Sequence, residues 1–319
     1  MIIACGEALI DMVPQNSGGA EVFCPVPGGS PYNTAIAAAR AGAGVQFIGR
    51  LSKDFFGEAL IRRLRDNRVG TDMIIRADEH SALAFVKLGK DREPEYLFYT
   101  EGAADRSFSI QDIPASFPAG SRCLVFGSIA MTMEPVATAI ETLALRAKEA
   151  GNIVVSFDPN IRPFMIHDRE AYIKRFEKWA AASTIVKISA ADFEFICPGM
   201  DLQTALKKVL ALGPRLVIST LGAGGAMALL RSGNGGLVEA RAPVVNLPVA
   251  DTIGAGDTFH GAFLSRLETR NKMSGEKIAA LDAEELRETL FFANKAASIV
   301  CSRRGADPPN LEEIEKLPL

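Results

Sequence analysis

The chain has 319 residues, of which 48% are hydrophobic, so it can bury a large core in one or two domains. Its 35 basic and 38 acidic residues nearly balance, and no basic stripe appears, which argues against a nucleic-acid partner. No apolar run approaches the roughly 20 residues that a membrane helix needs, so no membrane association is expected.

Short apolar runs predict six strands that alternate with helix patterns. The runs are almost wholly apolar, as expected of strands that are buried on both faces of a parallel sheet. Alternation of strands and helices favours parallel strands that are joined by right-handed crossovers. The six predicted strands are residues 2–5, 45–49, 122–126, 153–157, 184–188 and 214–219.

The helices are predicted from caps, prolines and glycines at their ends. Ser30 is expected to cap a helix that has Pro31 in its first turn, and Asp54 is expected to cap the next. A third helix is predicted from Pro135 to Gly151, and a long final helix over 283–303.

Two stretches, about 10–27 and 81–100, contain strand patterns without a helix between them. In the second stretch, two apolar runs flank a polar turn from Gly89 to Pro94, which is typical of a hairpin. The two inserts could pair into a small sheet that covers a site as a lid. They could equally be two ordinary surface hairpins.

The segment from Val249 to Phe263 is the most informative part of the sequence. Gly254, Ala255 and Gly256 lack bulk, and helical spacing begins at Asp257, so the small residues are expected at a helix start. Free amides and the helix dipole would stabilise a phosphate there. From spacing alone, Asp257 could be a helix cap or a general base.

This segment resembles a signature of the ribokinase-like (PfkB) carbohydrate kinases, in the pattern Asp-Thr-x-Gly-Ala-Gly-Asp-Thr-Phe from Asp251 to Phe259. The run from Gly28 to Ala35, followed by Gly49 and by Asp54-x-x-Gly57, resembles the N-terminal signature of that family. The resemblance implies one α/β domain over 1–319. It has a Rossmann-like, mostly parallel central sheet between helices and a small β-sheet lid.

The resemblance also implies roles for individual residues. Asp257 would deprotonate a sugar hydroxyl, while Gly254, Ala255 and Gly256 would form an anion hole for the transferred phosphoryl group. The sugar would be bound by a group of polar residues and glycines: Asp11, Gly28, Gly29, Asn33 and Arg162.

ATP, Mg²⁺ and K⁺ are the cofactors that the resemblance implies. The nucleotide side would comprise Lys187, Ser189, Thr220, Gly222, Gly225 and Asn294. The potassium positions, mostly backbone carbonyls, would be Asp251, Ile253, Val300, Arg303 and Gly305. Asp192 departs from the family, since most relatives carry a glutamate there that helps order Mg²⁺ through water.

The substrate is expected to be a small sugar. The start at Gly6-Glu7 and the segment from Asp158 to Arg162 resemble fructokinases, which favours fructose and its 6-phosphate as substrate and product. Keto-deoxygluconate, ribose or a nucleoside are alternatives within the family. A protein that only binds sugar or nucleotide on this fold is the alternative of another class.

Other enzyme classes lack their sequence signatures here. The chain has no G-x-G-x-x-G after an early strand, no G-x-x-x-x-G-K-[ST] and no H-E-x-x-H, and His260 is expected to be a plain helix residue. Five cysteines without a C-x-x-C pair favour reduced thiols and a cytoplasmic location. A homodimer through the lid is compatible with the sequence.

Overall fold

The computed structural model describes residues 1–88 and 94–317. Most of the hairpin turn predicted from Gly89 to Pro94 therefore lies outside the described residues. The strands are β1 Ile2–Cys5, β2 Leu9–Ser17, β3 Ala20–Gly28, β4 Val45–Ser52, β5 Val69–Gly70, β6 Ile74–Ala77, β7 Leu83–Leu88, β8 Pro94–Tyr99, β9 Cys123–Gly127, β10 Val154–Asp158, β11 Ile185–Ser189, β12 Leu216–Thr220, β13 Ala226–Arg231 and β14 Leu237–Ala242.

The helices alternate with these strands in most of the chain. They are α1 Ser30–Arg40, α2 Phe55–Asp66, α3 Val136–Ala150, α4 Arg169–Ala182, α5 Ala190–Ile196, α6 Leu202–Ala211, α7 Ala255–Thr269, α8 Gly275–Ala279, α9 Ala283–Cys301 and α10 Leu311–Lys316. Among the described residues, no helix is long and apolar enough to cross a bilayer.

A large sheet runs in the order β14-β13-β12-β11-β10-β9-β1-β4-β5, with β6 also paired to β4. The six strands predicted from apolar runs are the adjacent parallel strands from β12 to β4, and the short strands β5 and β6, which also pair parallel with β4, were not predicted. This confirms the predicted central sheet. The antiparallel strands β13 and β14 at one end of the sheet were not predicted. For the edge strand β14 the reason is that Glu239 and Arg241 give it the alternating pattern of a half-exposed strand.

The two faces of the sheet hold two apolar layers. Ile2 and Ala4 of β1 join a core with α1, α7 and α9, whereas Ile3 and Cys5 point into a second core with α3, α4 and α6. This alternation follows from the period of two in a strand. Both layers bury large side chains completely, and truncating Phe157, for example, would cost about 3–5 kcal/mol of folding free energy.

The two predicted inserts form a separate four-stranded sheet in the order β3-β2-β7-β8. β2 pairs antiparallel with β3, β7 pairs antiparallel with β8, and the two hairpins join through parallel pairing of β2 with β7. The prediction of a small second sheet is therefore confirmed, and we call these four strands the small sheet.

The start of α1 differs from the sequence prediction. Gly29, with φ 110°, is the N-cap residue, no side chain caps the helix, and Ser30 is already the first helical residue. The amide of Ser30 donates to Glu7 Oε1 at 3.0 Å, and its hydroxyl donates to the carboxylate of Asp257. The prediction that Ser30 caps α1 is therefore wrong. A hydroxyl forms a stronger hydrogen bond when it donates to a charged carboxylate than when it accepts from a helix amide.

Candidate active site

The backbone amides in the first turn of α7 lie close together. Gly254 is the N-cap residue with φ 74°, and the first intrahelical bond runs from the Thr258 amide to the Gly254 carbonyl at 2.8 Å. Amides in a first helical turn have no intrahelical acceptor. One of them, the Ala255 amide, donates to the Thr252 carbonyl at 3.2 Å. The helix start that the sequence predicted for Gly254, Ala255 and Gly256 is confirmed, and its dipole favours an anion there.

Asp257 lies in this first turn and is buried. Its Oδ1 accepts from the Ser30 hydroxyl at 2.7 Å, and its Oδ2 accepts from Asn33 Nδ2 at 3.0 Å. Asn160 Nδ2 approaches Oδ1 at 3.5 Å from the loop after β10. Burial raises the pKa of Asp257, while the donors Ser30 and Asn33 lower it.

A buried ion pair lies beneath the helix start. Lys187 Nζ is 2.8 Å from Asp158 Oδ2, and both side chains are only 4% exposed. A Cβ on Gly256 would lie 3.1 Å from the same ammonium, so Lys187 lies close to the first turn of α7. A buried pair of this kind is costly to break from one side only.

His260 belongs to the same buried cluster. Its Nε2 is 2.7 Å from Ser156 Oγ, and burial lowers the pKa of the imidazole to about 3. The ring is therefore neutral at physiological pH, which argues against a role as a general acid.

Two of the residues predicted to bind the sugar, Asp11 and Gly28, lie on strands of the small sheet. A Cβ on Gly28 would lie 2.1 Å from Asp11 Oδ2, so only glycine leaves room for that carboxylate. Burial and then the charge of Asp257 raise the pKa of Asp11 to about 7, whereas Arg162 lowers it. The charges of Asp257 and Arg162 therefore both act on the carboxyl of Asp11, in opposite directions.

Two further polar groups face the same region. Within the described part of the chain, the buried Oδ1 of Asn33 has no hydrogen-bond partner, so it can accept from a ligand hydroxyl. Arg162 Nη1 donates to the Asn160 carbonyl at 3.1 Å and to Asn160 Oδ1 at 2.7 Å. Asn160 itself has φ 37°, and it links the arginine to the carboxylate of Asp257.

Arg63 of α2 connects the small sheet to the helix start. Its guanidinium donates to the Pro27 carbonyl at 3.3 Å and to the Ala306 carbonyl at 2.5 Å. Ala306 is the residue that a Cβ on Gly254 would meet, at 2.7 Å. Arg63 also lowers the pKa of Asp11 by its charge. No sequence pattern pointed to this bridge, because its ends are distant along the chain.

Most of the predicted nucleotide residues lie at the ends of β11 and β12, in the turn that follows β12, and on α9. Gly225, with φ 83°, packs so closely that a Cβ would lie 2.1 Å from the Ala242 carbonyl oxygen. Asn294 Nδ2 donates to the carbonyls of Ala242 and Pro243, both at 2.9 Å. Thr220, which precedes the turn at Gly222–Gly224, is the register partner of Ser189 at the ends of β12 and β11. Lys187 is the exception, because its ammonium pairs with Asp158 beneath the helix start.

Asp192 is occupied by protein donors. Its Oδ1 accepts from the Ile161 amide at 2.7 Å, and its Oδ2 accepts from the amide and the hydroxyl of Ser189 at 2.9 and 2.6 Å. The carboxylate thus holds the loop that carries Arg162. Among residues 1–88 and 94–317, no group of three or more His, Cys, Asp or Glu side chains could hold a metal ion.

The loops predicted to bind potassium lie against each other. Asp251 accepts from the Ile253 amide at 3.0 Å through Oδ1 and from the Gly305 amide at 2.9 Å through Oδ2. The amides of Ala250 and Asp251 donate to the Cys301 carbonyl, at the end of α9. The structure therefore brings together the segments that hold Asp251, Ile253, Val300, Arg303 and Gly305.

Comparison with known proteins identifies the family. The family model described as pfkB family carbohydrate kinase matches residues 1–313. The chain belongs to the pfkB family of carbohydrate kinases. Membership makes it a phosphotransferase with an alcohol group as acceptor, and it confirms the resemblance that the two sequence signatures indicated.

Several individual relatives of this pfkB chain are named fructokinases. It is 36% identical to a fructokinase of Rhizobium leguminosarum bv. trifolii, over 90% of this chain and 86% of the relative. It is 34% identical to fructokinase-1 of Oryza sativa subsp. japonica, over 100% and 97%. A crystal structure of fructokinase with bound ATP from Xylella fastidiosa superposes with a TM-score of 0.89 at 30% identity, covering 99% of this chain and 97% of that one.

Proposed function

We propose that this chain is an ATP-dependent sugar kinase that phosphorylates a primary hydroxyl, with fructose as acceptor and fructose 6-phosphate as product. One observation carries the proposal: the Asp257 carboxylate and the first-turn amides of α7 lie together, beside Asp11 and Asn33. The fructokinase names of the relatives support fructose as the acceptor.

The reaction follows from this arrangement. Asp257 takes the proton of the acceptor hydroxyl as its oxygen bonds to the γ-phosphorus of ATP, and the bond from that phosphorus to the β-phosphate oxygen breaks to release ADP. Negative charge on the transferred phosphoryl group would be stabilised by the amides of Gly254, Ala255 and Gly256, of which the Ala255 amide would exchange the Thr252 carbonyl for a phosphoryl oxygen. Phosphoryl transfer needs mainly positioning and electrostatic stabilisation, and this helix start supplies both.

The sugar would be held by side chains on both sides of Asp257. The Asp11 carboxylate can accept two hydroxyl hydrogen bonds, and Asn33 Oδ1 can accept a third. Arg162, which Asn160 orients, supplies a positive charge beside the acceptor or the phosphates. Gly28 and Gly29 leave the space that the ring needs. These roles remain predictions from family resemblance and geometry.

ATP would lie along Thr220, Gly222, Gly225 and Asn294, with Ser189 next to Thr220. When bound, Mg²⁺ would neutralise phosphate charge, and ATP phosphates can themselves supply its ligands. This fits a chain whose Asp192 oxygens are both engaged. Potassium would be held by backbone carbonyls of the loops that Asp251 joins, where it would strengthen the positive field at the helix start.

The Asp257→Ala variant tests the function. It should lose roughly 10²–10⁴-fold in turnover, because general-base catalysis contributes that much, while sugar binding persists. Asp201→Ala is the matched control, since Asp201 also lies at a helix start and accepts from the Thr204 amide at 3.0 Å. Unchanged turnover of Asp257→Ala would refute the base assignment.

A screen of ADP release over sugars and nucleosides tests the acceptor. We expect fructose to give the highest kcat/KM. Turnover of keto-deoxygluconate, ribose or a nucleoside with inert fructose would contradict the acceptor and keep the kinase class. No ADP release with any acceptor, together with binding of sugar or nucleotide, would favour a non-catalytic binding protein.

Two further predictions concern the cellular location and the oligomeric state of the protein. The five cysteines are free, and three of them are buried, which supports a cytoplasmic location. The small sheet exposes Phe23, Leu97 and Tyr99, and the homodimer through this sheet stays a prediction. Light scattering at several concentrations would test it, and a mass of one chain throughout would contradict it.

A further inference from the structure

Ser30 connects two helices at the reacting centre. As the first residue of α1, it is held by its amide, which donates to Glu7 Oε1 at 3.0 Å. Its hydroxyl crosses to α7 and donates to Asp257 Oδ1 at 2.7 Å, between residues that are 227 positions apart in the chain. Glu7 is itself buried and also accepts from the Ala130 amide at 3.3 Å. Ser30 is therefore fixed at both its backbone and its hydroxyl.

We propose that Ser30 is a positioning residue for the catalytic base, whose hydroxyl holds Asp257 in the orientation from which it takes the proton of the acceptor. An ionised carboxylate can only accept, so the one proton of the Ser30 hydroxyl is donated to Oδ1. Asn33 Nδ2 holds the other oxygen at 3.0 Å. With a close donor on each oxygen, and Asn160 Nδ2 also approaching Oδ1 at 3.5 Å, the carboxylate cannot rotate freely. This inference rests on the proposed role of Asp257.

The charged groups around Asp257 make its pKa depend on the Ser30 hydroxyl. Burial raises the pKa of this carboxyl, and Ser30 is the strongest of the groups that lower it. Asp158 at the end of β10 raises the pKa, Lys187 on β11 lowers it, and Asp11 of the small sheet adds a second carboxylate to the same space. His260 on α7 is neutral, because burial lowers the pKa of its ring to about 3.

The direction of the expected effect follows from these charges. The base must be ionised to act, and a donor to the charged form favours ionisation. Removing the Ser30 hydroxyl therefore raises the pKa of Asp257 in the folded protein. Activity that is lost as the pH falls should then be lost at a higher pH. A defect that only loosened the packing of α1 against α7 would instead lower activity equally at every pH.

The test compares pH profiles of kcat and kcat/KM for the intact enzyme. In Ser30→Ala, the acid limb should move up by about one pH unit, as expected for one hydrogen bond to a charged group. The kcat should therefore fall roughly tenfold at pH values below the wild-type limb and recover at high pH. Ser30→Thr keeps a hydroxyl and should keep the wild-type limb. Ser30→Cys has a similar volume and a weaker donor, so its limb should lie between the two.

Ser265→Ala is a matched control at the same helix pair. Ser265 of α7 donates its hydroxyl to the Ala41 carbonyl at the end of α1, at 2.9 Å, and it is fully buried. This variant should lose thermal stability while keeping the acid limb of the wild type. A wild-type limb in Ser30→Ala, or the same loss at all pH values, would overturn the proposal. Full activity of Asp257→Ala would instead overturn the base itself, so the two failures are distinguishable.

Discussion

The residues proposed to bind the sugar and those proposed to bind the nucleotide differ in which of their atoms make the contacts. Among the residues proposed to bind the sugar, the buried Asn33 donates to the buried Asp257, and the charge of Asp257 raises the pKa of the partly buried Asp11. Among those proposed to bind the nucleotide, Gly225 packs closely on the backbone of Ala242, and Asn294 donates to the carbonyls of Ala242 and Pro243. Side chains form directional hydrogen bonds with hydroxyl groups, whereas a closely packed backbone recognises a ligand through complementary shape. Substitutions should therefore change kinetics differently on the two sides.

Gly254→Ala, at the boundary between the two sides, should have a larger effect than a substitution on either side. The residue has φ 74°, and a new Cβ would lie 2.7 Å from Ala306 Cβ, so the turn must shift. Loss of one aligned donor costs roughly 10²–10³-fold in kcat at comparable anion sites. Steady-state kinetics would measure this. Gly44→Ala, at an exposed position with open space around the Cβ, should change nothing.

Asp11→Asn should affect the sugar side alone. Loss of hydrogen bonds to a charged acceptor should raise the sugar KM by roughly ten- to a hundredfold. The KM for ATP serves as the internal control and should stay constant. An equal rise in both KM values would show that the two sides are not separate.

The same variant should simplify the pH dependence. The pKa of Asp11 is raised to about 7, first by burial and then by Asp257, so its ionised form is lost as the pH falls through 7. In the wild type, kcat/KM for the sugar should fall over that range. In Asp11→Asn this contribution disappears, and only the limb of Asp257 should remain. A limb unchanged from wild type would contradict the assignment of Asp11 to the sugar.

Gly225→Ala should have a smaller effect than Gly254→Ala or Asp11→Asn, confined to the nucleotide side. A Cβ at this position would lie 2.1 Å from the Ala242 carbonyl, and φ 83° adds strain. We expect about a tenfold rise in the KM for ATP, because backbone strain of this kind costs about 1–3 kcal/mol. The sugar KM should not change. A fall in kcat as large as that of Gly254→Ala would contradict the predicted difference between the two groups of residues.

Sequence predicted best where the relevant residues are contiguous. The helix start at Gly254, Ala255, Gly256 and Asp257 is a local feature, since small residues and helical spacing lie side by side. The six parallel strands were predictable because burial on both faces leaves an uninterrupted apolar run. Family membership, which the two signatures indicated, followed from the same contiguous segments.

Sequence predicted least where a contact joins distant segments. The Ser30 hydroxyl looked like a helix cap, and its true acceptor is known only when α1 packs on α7. The partner of Lys187 is Asp158, at the end of the adjacent strand β10, and no local pattern pairs them. The edge strand β14 was not predicted because one of its faces is exposed to solvent. The charged residues on that face interrupt the apolar run that indicated the other strands.

The bridge made by Arg63 has a consequence for protein engineering. Both of its acceptors, at Pro27 and Ala306, are main-chain carbonyl oxygens, which every amino acid provides. The hairpin of β2 and β3 can therefore be replaced by that of a relative without deleting either bond, provided that its backbone follows the same path. Because the proposed sugar residues Asp11 and Gly28 lie on this hairpin, we expect such chimeras to alter acceptor selectivity while both hydrogen bonds of Arg63 are kept.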